Sequence, residues 1–177
     1  MIEKLIMKQS KDIFVKLNKM KVIGKEVARS VEVVKEYNLK IHERDLDWNS
    51  VKVTSSKIIY NYVKNLYSDD IELYESFYLI LLDRGNKIKG HVKISQGGVS
   101  GTIVDTKLVA LYAIETLSSS VILVHNHPSG TLKPSQPDIK ITNTIKQGLK
   151  LFEINTLDHL IVASNGYYSF ADEGILI

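Results

Sequence analysis

Val121-Ile122-Leu123-Val124-His125-Asn126-His127-Pro128-Ser129-Gly130, with Ser135 and Asp138 beyond it, is the stretch on which both fold and chemistry turn. Four consecutive β-forming apolar residues read as a strand buried on both faces, as inside an α/β sheet. His125 and His127 follow at its C-terminal end. In extended backbone residues i and i+2 face the same side, so both imidazoles can reach one ion. Pro128-Ser129-Gly130 turns the chain. Ser135 then opens a helix, with Asp138 in its first turn. Two His and one Asp are zinc-ligand chemistry, and three protein ligands plus a water make a catalytic zinc site. A strand end beside a helix N-terminus is where ligands sit in α/β sheets. Ser135-Gln136-Pro137-Asp138 is also a capping box, the Ser accepting from early helix N–H groups and the Asp complementing the positive helix end. The two roles can coexist.

Working outward, Ser55 or Ser56 can cap a helix through Ile58, Ile59, Tyr62, Val63 and Leu66. Phe77–Leu82 reads as a buried strand, Asp83–Asn86 as a hairpin turn and Ile88–Ile94 as its partner strand. Gly97, Gly98 and Gly101 suit either close backbone approach to a substrate or a flexible loop. Leu108–Leu117 has a helical pattern. The helix Ser135–Leu151 is expected to bury Ile139, Ile145 and Leu149. A strand at Leu157–Val162, a turn at Asn165-Gly166 and a strand at Tyr167–Phe170 complete the core. Asp158-His159 reads as a pair supporting a ligand imidazole, because such rings need their other nitrogen oriented. His42 and His91 have no partners in sequence and read as surface residues.

The 177 residues carry 44% hydrophobic and 24% charged side chains, an ordinary globular composition for one domain and an appendage. There is no cysteine, so no disulfide framework, which fits a cytoplasmic chain. No signal or membrane span is expected. The net charge of +3 is unevenly spread. Residues 1–44 hold eleven Lys/Arg and six Asp/Glu (+5), whereas residues 45–177 hold twelve and fourteen (−2). Either a nucleic-acid surface or the solvated face of amphipathic helices explains the basic segment. Ile2–Leu17 is helix-like, Val31–Ile41 fits helix or strand, and Asp45–Ser50 reads as a connecting loop. Residues 1–50 are therefore taken as a basic N-terminal segment and residues 51–177 as the metal-binding domain.

His125-Asn126-His127-Pro128-Ser129-Gly130, Pro134-Ser135, Asp138, Leu157-Asp158-His159 and Tyr168-Ser169-Phe170 resemble the signature of the RadC proteins, the bacterial branch of the JAB/MPN (JAMM) metalloprotease superfamily. The resemblance spans Val51 to Ile177. It implies a cytidine-deaminase-like α/β fold, a mixed sheet flanked by helices, preceded by a small mainly helical segment. It implies zinc held by His125, His127 and Asp138, with Ser135 holding the water or stabilising the oxyanion. Met20–Ala28 resembles the helix-hairpin-helix of longer members, but Val22 stands where its first Gly would be. RadC proteins carry a historical DNA-repair label.

One departure stands out. The JAMM pattern places a general-base glutamate on an earlier strand, and matching the glycines at 97–101 puts that position at Lys93, or at Val92 after a one-residue shift. No acid occurs from Asn86 to Ile103, and Glu115 falls within a helical pattern. Two functions follow. One is a zinc-dependent hydrolase acting on peptide or isopeptide bonds with its base replaced. The other is a catalytically weakened module binding nucleic acid or protein. A homo-oligomer is compatible with either.

Overall fold

The apolar runs around Leu79 and Leu123 lie side by side at the centre of one sheet. The structure is a computed structural model that describes residues 51–67, 71–97 and 103–176. Strand β1 (Ser76–Leu82) pairs antiparallel with β2 (Ile88–Gln96) on one side and with β3 (Ser120–Asn126) on the other. β3 runs parallel to β4 (Asn155–Ala163), and β4 pairs antiparallel with β5 (Gly166–Ser169). The mixed sheet has the order β2-β1-β3-β4-β5.

Every residue of β1 and β3 is buried, as expected for central strands with helices on both faces. Helix α1 (Ser56–Val63) covers one face, packing Ile59, Tyr62 and Val63 against Tyr78, Ile80, Ile122 and Val124. Helices α2 (Thr106–Glu115) and α3 (Gln136–Lys150) cover the other. There Val109, Ala113, Ile145 and Leu149 meet Phe77, Leu79, Leu81, Val121 and Leu123. Strand alternation sorts these sets, and each fully buried Leu, Ile or Phe contributes roughly 1.5–3 kcal/mol.

Local chemistry sets the element ends. Asp83 Oδ1 accepts from Gly85 N and Lys87 N, both at 2.8 Å, closing the hairpin turn. Asn86 takes φ 58° there, a conformation Asn tolerates better than most residues. α2 starts two residues before its expected beginning, because Asp105 caps it by accepting from Lys107 N at 2.9 Å. It stops at Glu115, and Leu117 beyond it sits at φ 50°. α1 ends at Val63 and does not reach Leu66. In α3, Thr142 is buried, whereas Ile139 is half-buried rather than in the core. β5 stops before Phe170. His91 is half-buried rather than a surface residue, its Nδ1 2.7 Å from Tyr62 OH and its ring against Tyr62 and Tyr78.

The readings over residues 1–50 (the Ile2–Leu17 helix, the Met20–Ala28 resemblance, Val31–Ile41 and the Asp45–Ser50 loop) lie outside the described residues, as do His42, Gly98 and Gly101. No described helix is long and apolar enough to cross a membrane.

Candidate metal centre

β3 carries His125 one residue from its end, and His127 follows just past it. The Nε2 atoms of the two rings lie 2.9 Å apart. Asp138 brings Oδ1 to 3.3 Å from His125 Nε2 and Oδ2 to 3.5 Å from His127 Nε2. The capping box at the start of α3 fixes that carboxylate. Ser135 N and Ser135 Oγ each donate to Asp138 Oδ2 at 2.6 Å, and Asp138 N donates to Ser135 Oγ at 3.3 Å. Oδ2 thus closes the cap and Oδ1 is left facing His125. Among the described residues, His125, His127 and Asp138 form a group whose donor atoms all lie within 4.8 Å of one another.

The direction of each hydrogen bond can be worked out from groups that only accept. Thr131 O is a carbonyl, so His127 Nδ1, 2.7 Å away, donates to it. The Thr142 hydroxyl donates to the main-chain oxygen of Asp138 at 2.6 Å. His159 Nδ1, 2.6 Å from Thr142 Oγ1, must then donate to that oxygen. His159 is 0% exposed, and burial holds its pKa well below the ordinary value, with neighbouring His125 acting in the same direction. The ring is neutral and its Nε2 is bare. His125 Nδ1, 2.8 Å from that Nε2, donates to it. With Nδ1 donating in each ring, the two Nε2 atoms face each other and a carboxylate.

Two lone pairs at 2.9 Å repel unless a cation lies between them. When that cation is a proton, the hydrogen bond to Asp138 raises His127 above 6.5 against the opposing effect of burial. Burial pushes the Asp138 carboxyl up, but hydrogen bonds to His125 and His127 overcome this and hold it far below the usual carboxylate range. A zinc ion also fits. Tetrahedral zinc bonded to two imidazoles separates their nitrogens by about 3.3 Å, slightly more than the rings show. The donor set is two nitrogens and one carboxylate oxygen, on the wall of an open cleft.

That cleft has a volume of about 930 Å³. Phe77, Val104 and Ile141 form part of its apolar wall, and Glu75, Lys133 and Ser135 part of its polar one. Glu75 lines the cleft, although the sequence did not single it out. Matching the glycines puts the expected acid position on β2, at Lys93 or Val92, and neither residue lines the cleft. Lys93 lies opposite Tyr78, on the α1 face, with Nζ 5.4 Å from the Tyr78 ring centroid and 2.9 Å from Gln96 Oε1. It is on the face away from the cluster. Val92 lies opposite Leu79 and packs in the α2/α3 core. The acid on the cleft comes from the residue before β1, because antiparallel pairing sets Phe77 opposite His125. The charge of Glu75 adds to the upward shift of His127. The available signal was Glu75-Ser76-Phe77, an acid at the mouth of an apolar run able to pair with the histidine strand. Glu115 does not line the cleft.

Asp158 and His159 part company, since adjacent strand residues face opposite sides. His159 backs His125, and its own ring stacks on Phe170 with centroids 4.7 Å apart. Asp158 accepts from Ser169 Oγ at 2.6 Å, Ala171 N at 2.9 Å and its neighbour's backbone, His159 N, at 2.7 Å. Burial raises its pKa despite those bonds. The expected pair is thus one ring backing His125 and one carboxylate anchoring the turn after β5.

Known proteins share this arrangement of sequence. The RadC-like JAB domain family matches residues 53–175. A UPF0758 protein of Flavobacterium johnsoniae is 40% identical over 161 residues, covering 90% of this chain and 68% of its own length. One from Porphyromonas gingivalis is 38% identical over 125 residues, covering 70% and 54% respectively. One from Chlorobaculum tepidum is 30% identical over 161 residues, covering 90% and 70%. With the His-Asn-His strand end and the Ser-Asp cap in place on this sheet, the chain belongs to the RadC-like JAB domain family.

Proposed function

We propose that this chain is a zinc-dependent hydrolase that cleaves an amide bond in a peptide or isopeptide substrate, with Glu75 as its general base. The observation that carries the reading is the meeting of the His125 and His127 Nε2 lone pairs, the Asp138 carboxylate and Glu75 on one cleft. Bound zinc supplies a Lewis acid that polarises a carbonyl and acidifies water. The remaining work falls to the chain itself. The Glu75 carboxylate takes a proton from the attacking water and passes it to the leaving nitrogen. The Ser135 hydroxyl, donated to Asp138 in this structure, turns toward the carbonyl oxygen as negative charge develops there. Phe77, Val104 and Ile141 keep bulk water from the reacting bond. An acid on the cleft supports the enzyme reading over the binding module.

The test measures metal content of the purified protein, then hydrolysis of a fluorogenic peptide amide and of an isopeptide-linked peptide. Stoichiometric zinc is expected, with both zinc and turnover lost in His125→Ala. Glu75→Gln is expected to keep zinc and lose ~100- to 10,000-fold in rate. Zinc-free protein that binds DNA in a salt-sensitive way would overturn the proposal in favour of the binding module.

A further inference from the structure

Asn126 sits between the two ligand histidines in sequence, is 0% exposed and does not line the cleft. Alternation along β3 sends its side chain to the opposite face from theirs. Its carboxamide makes three hydrogen bonds, all to one short segment. Oδ1 accepts from Ser76 N at 2.8 Å, and Nδ2 donates to Ile71 O at 2.7 Å and Tyr74 O at 2.8 Å. The Tyr74 carbonyl belongs to the peptide plane before the Glu75 Cα, and the Ser76 N–H to the plane after it. Those two planes define φ and ψ of Glu75. Gly97 N, 2.8 Å from Glu75 O, holds the second plane through its other end.

We infer that Asn126 is the positioning residue for Glu75: its side-chain amide grips both peptide planes flanking that residue and so sets the direction in which the carboxylate enters the cleft. The catalytic meaning of this rests on the reading of Glu75 as general base. The group must be a carboxamide. An Asp would set an anion against two carbonyl oxygens, and an Ala would strip a buried N–H and two carbonyls of their partner. One strand thereby carries the ligand rings on one face and the anchor of the acid on the other, so ring and acid share a single backbone reference.

The test uses the full chain with Asn126→Asp, the neutral Asn126→Ala, Glu75→Gln and the two double variants. In metal-free protein, hydrogen exchange of the Ser76 amide is expected to quicken roughly tenfold or more in both Asn126 variants. In protein loaded with Co²⁺, the visible absorption is followed against pH. Both Asn126 variants should take up one Co²⁺ and displace the titration in the direction Glu75→Gln displaces it. Neither should add to the displacement in the Glu75→Gln background, where a plain charge effect of the carboxylate introduced by Asn126→Asp would persist. A Ser76 amide still protected in both variants overturns the inference, and so does a displacement of equal size with and without Glu75. A silent Glu75→Gln beside a released Ser76 amide removes the base reading and the catalytic meaning drawn from it, leaving only the anchor.

Discussion

His125 and His127 are two residues apart and present the same nitrogen to each other, yet they are held in opposite ways. The His125 side chain is 2% exposed and is backed by a neutral ring, His159, which leans on Thr142 and, through it, on the backbone of Asp138. The His127 side chain is 14% exposed and is backed by Thr131 O, a carbonyl in the loop that follows it. One ring belongs to the core and the other to a turn. For the proposed metal site, the contrast predicts that metal affinity and fold stability are coupled at the first ring and separable at the second.

The largest effect should come from His125→Ala against His127→Ala. Both are expected to abolish stoichiometric zinc. Only His125→Ala should also destabilise the metal-free protein, by about 2–4 kcal/mol, since it opens a buried space and orphans His159 Nε2. Metal analysis and urea unfolding of metal-free protein check this, and equal losses of stability would break the contrast. Next, Thr142→Val removes the hydroxyl behind His159 and should weaken zinc ~10- to 100-fold, with Thr142→Ser restoring it. Competition with a chelating indicator measures both.

A pH series sharpens the comparison from the His127 side. That ring must be neutral to bind metal, and Asp138 raises its pKa above 6.5 in the metal-free protein. Zinc affinity should therefore fall by up to about tenfold per unit as pH drops below the raised pKa. The sign reverses for metal-free stability. A raised folded pKa makes the His127 contribution complete below 6.5, and that contribution is lost as pH rises through the folded value. Thermal unfolding between about pH 6 and 8 should thus diverge with and without zinc. The smallest effect belongs to Gly130, which sits at φ 77° with its N–H donating to His127 O. Gly130→Ala should cost about 1 kcal/mol in stability. It should weaken zinc by no more than about fivefold, without touching the His125 brace.

The cluster of His125, His127 and Asp138 was legible because it is local. A strand period of two aligned His125 with His127, and a four-residue cap placed Asp138 in the first turn of α3. The same held for the Asp83 turn and the apolar runs of β1 and β3. Glu75 was not legible, because its place depends on the register of β1 against β3, a pairing between segments about fifty residues apart. Lys93 misled for the same reason, since only the pairing with Tyr78 shows which face it takes. Asn126 is the extreme case. Its sequence neighbours are the clustered histidines, but its partners are three backbone groups in the segment 71–76, and no periodicity points there.

The stacking of His159 on Phe170 has a consequence for the order of events during synthesis. A ribosome releases His125 and His127 well before the ring that fixes the first of them, 34 positions later, and before the phenyl floor beneath that ring. A nascent chain thus carries both imidazoles before the ring that backs His125 exists, and that brace closes only once the last hairpin has formed.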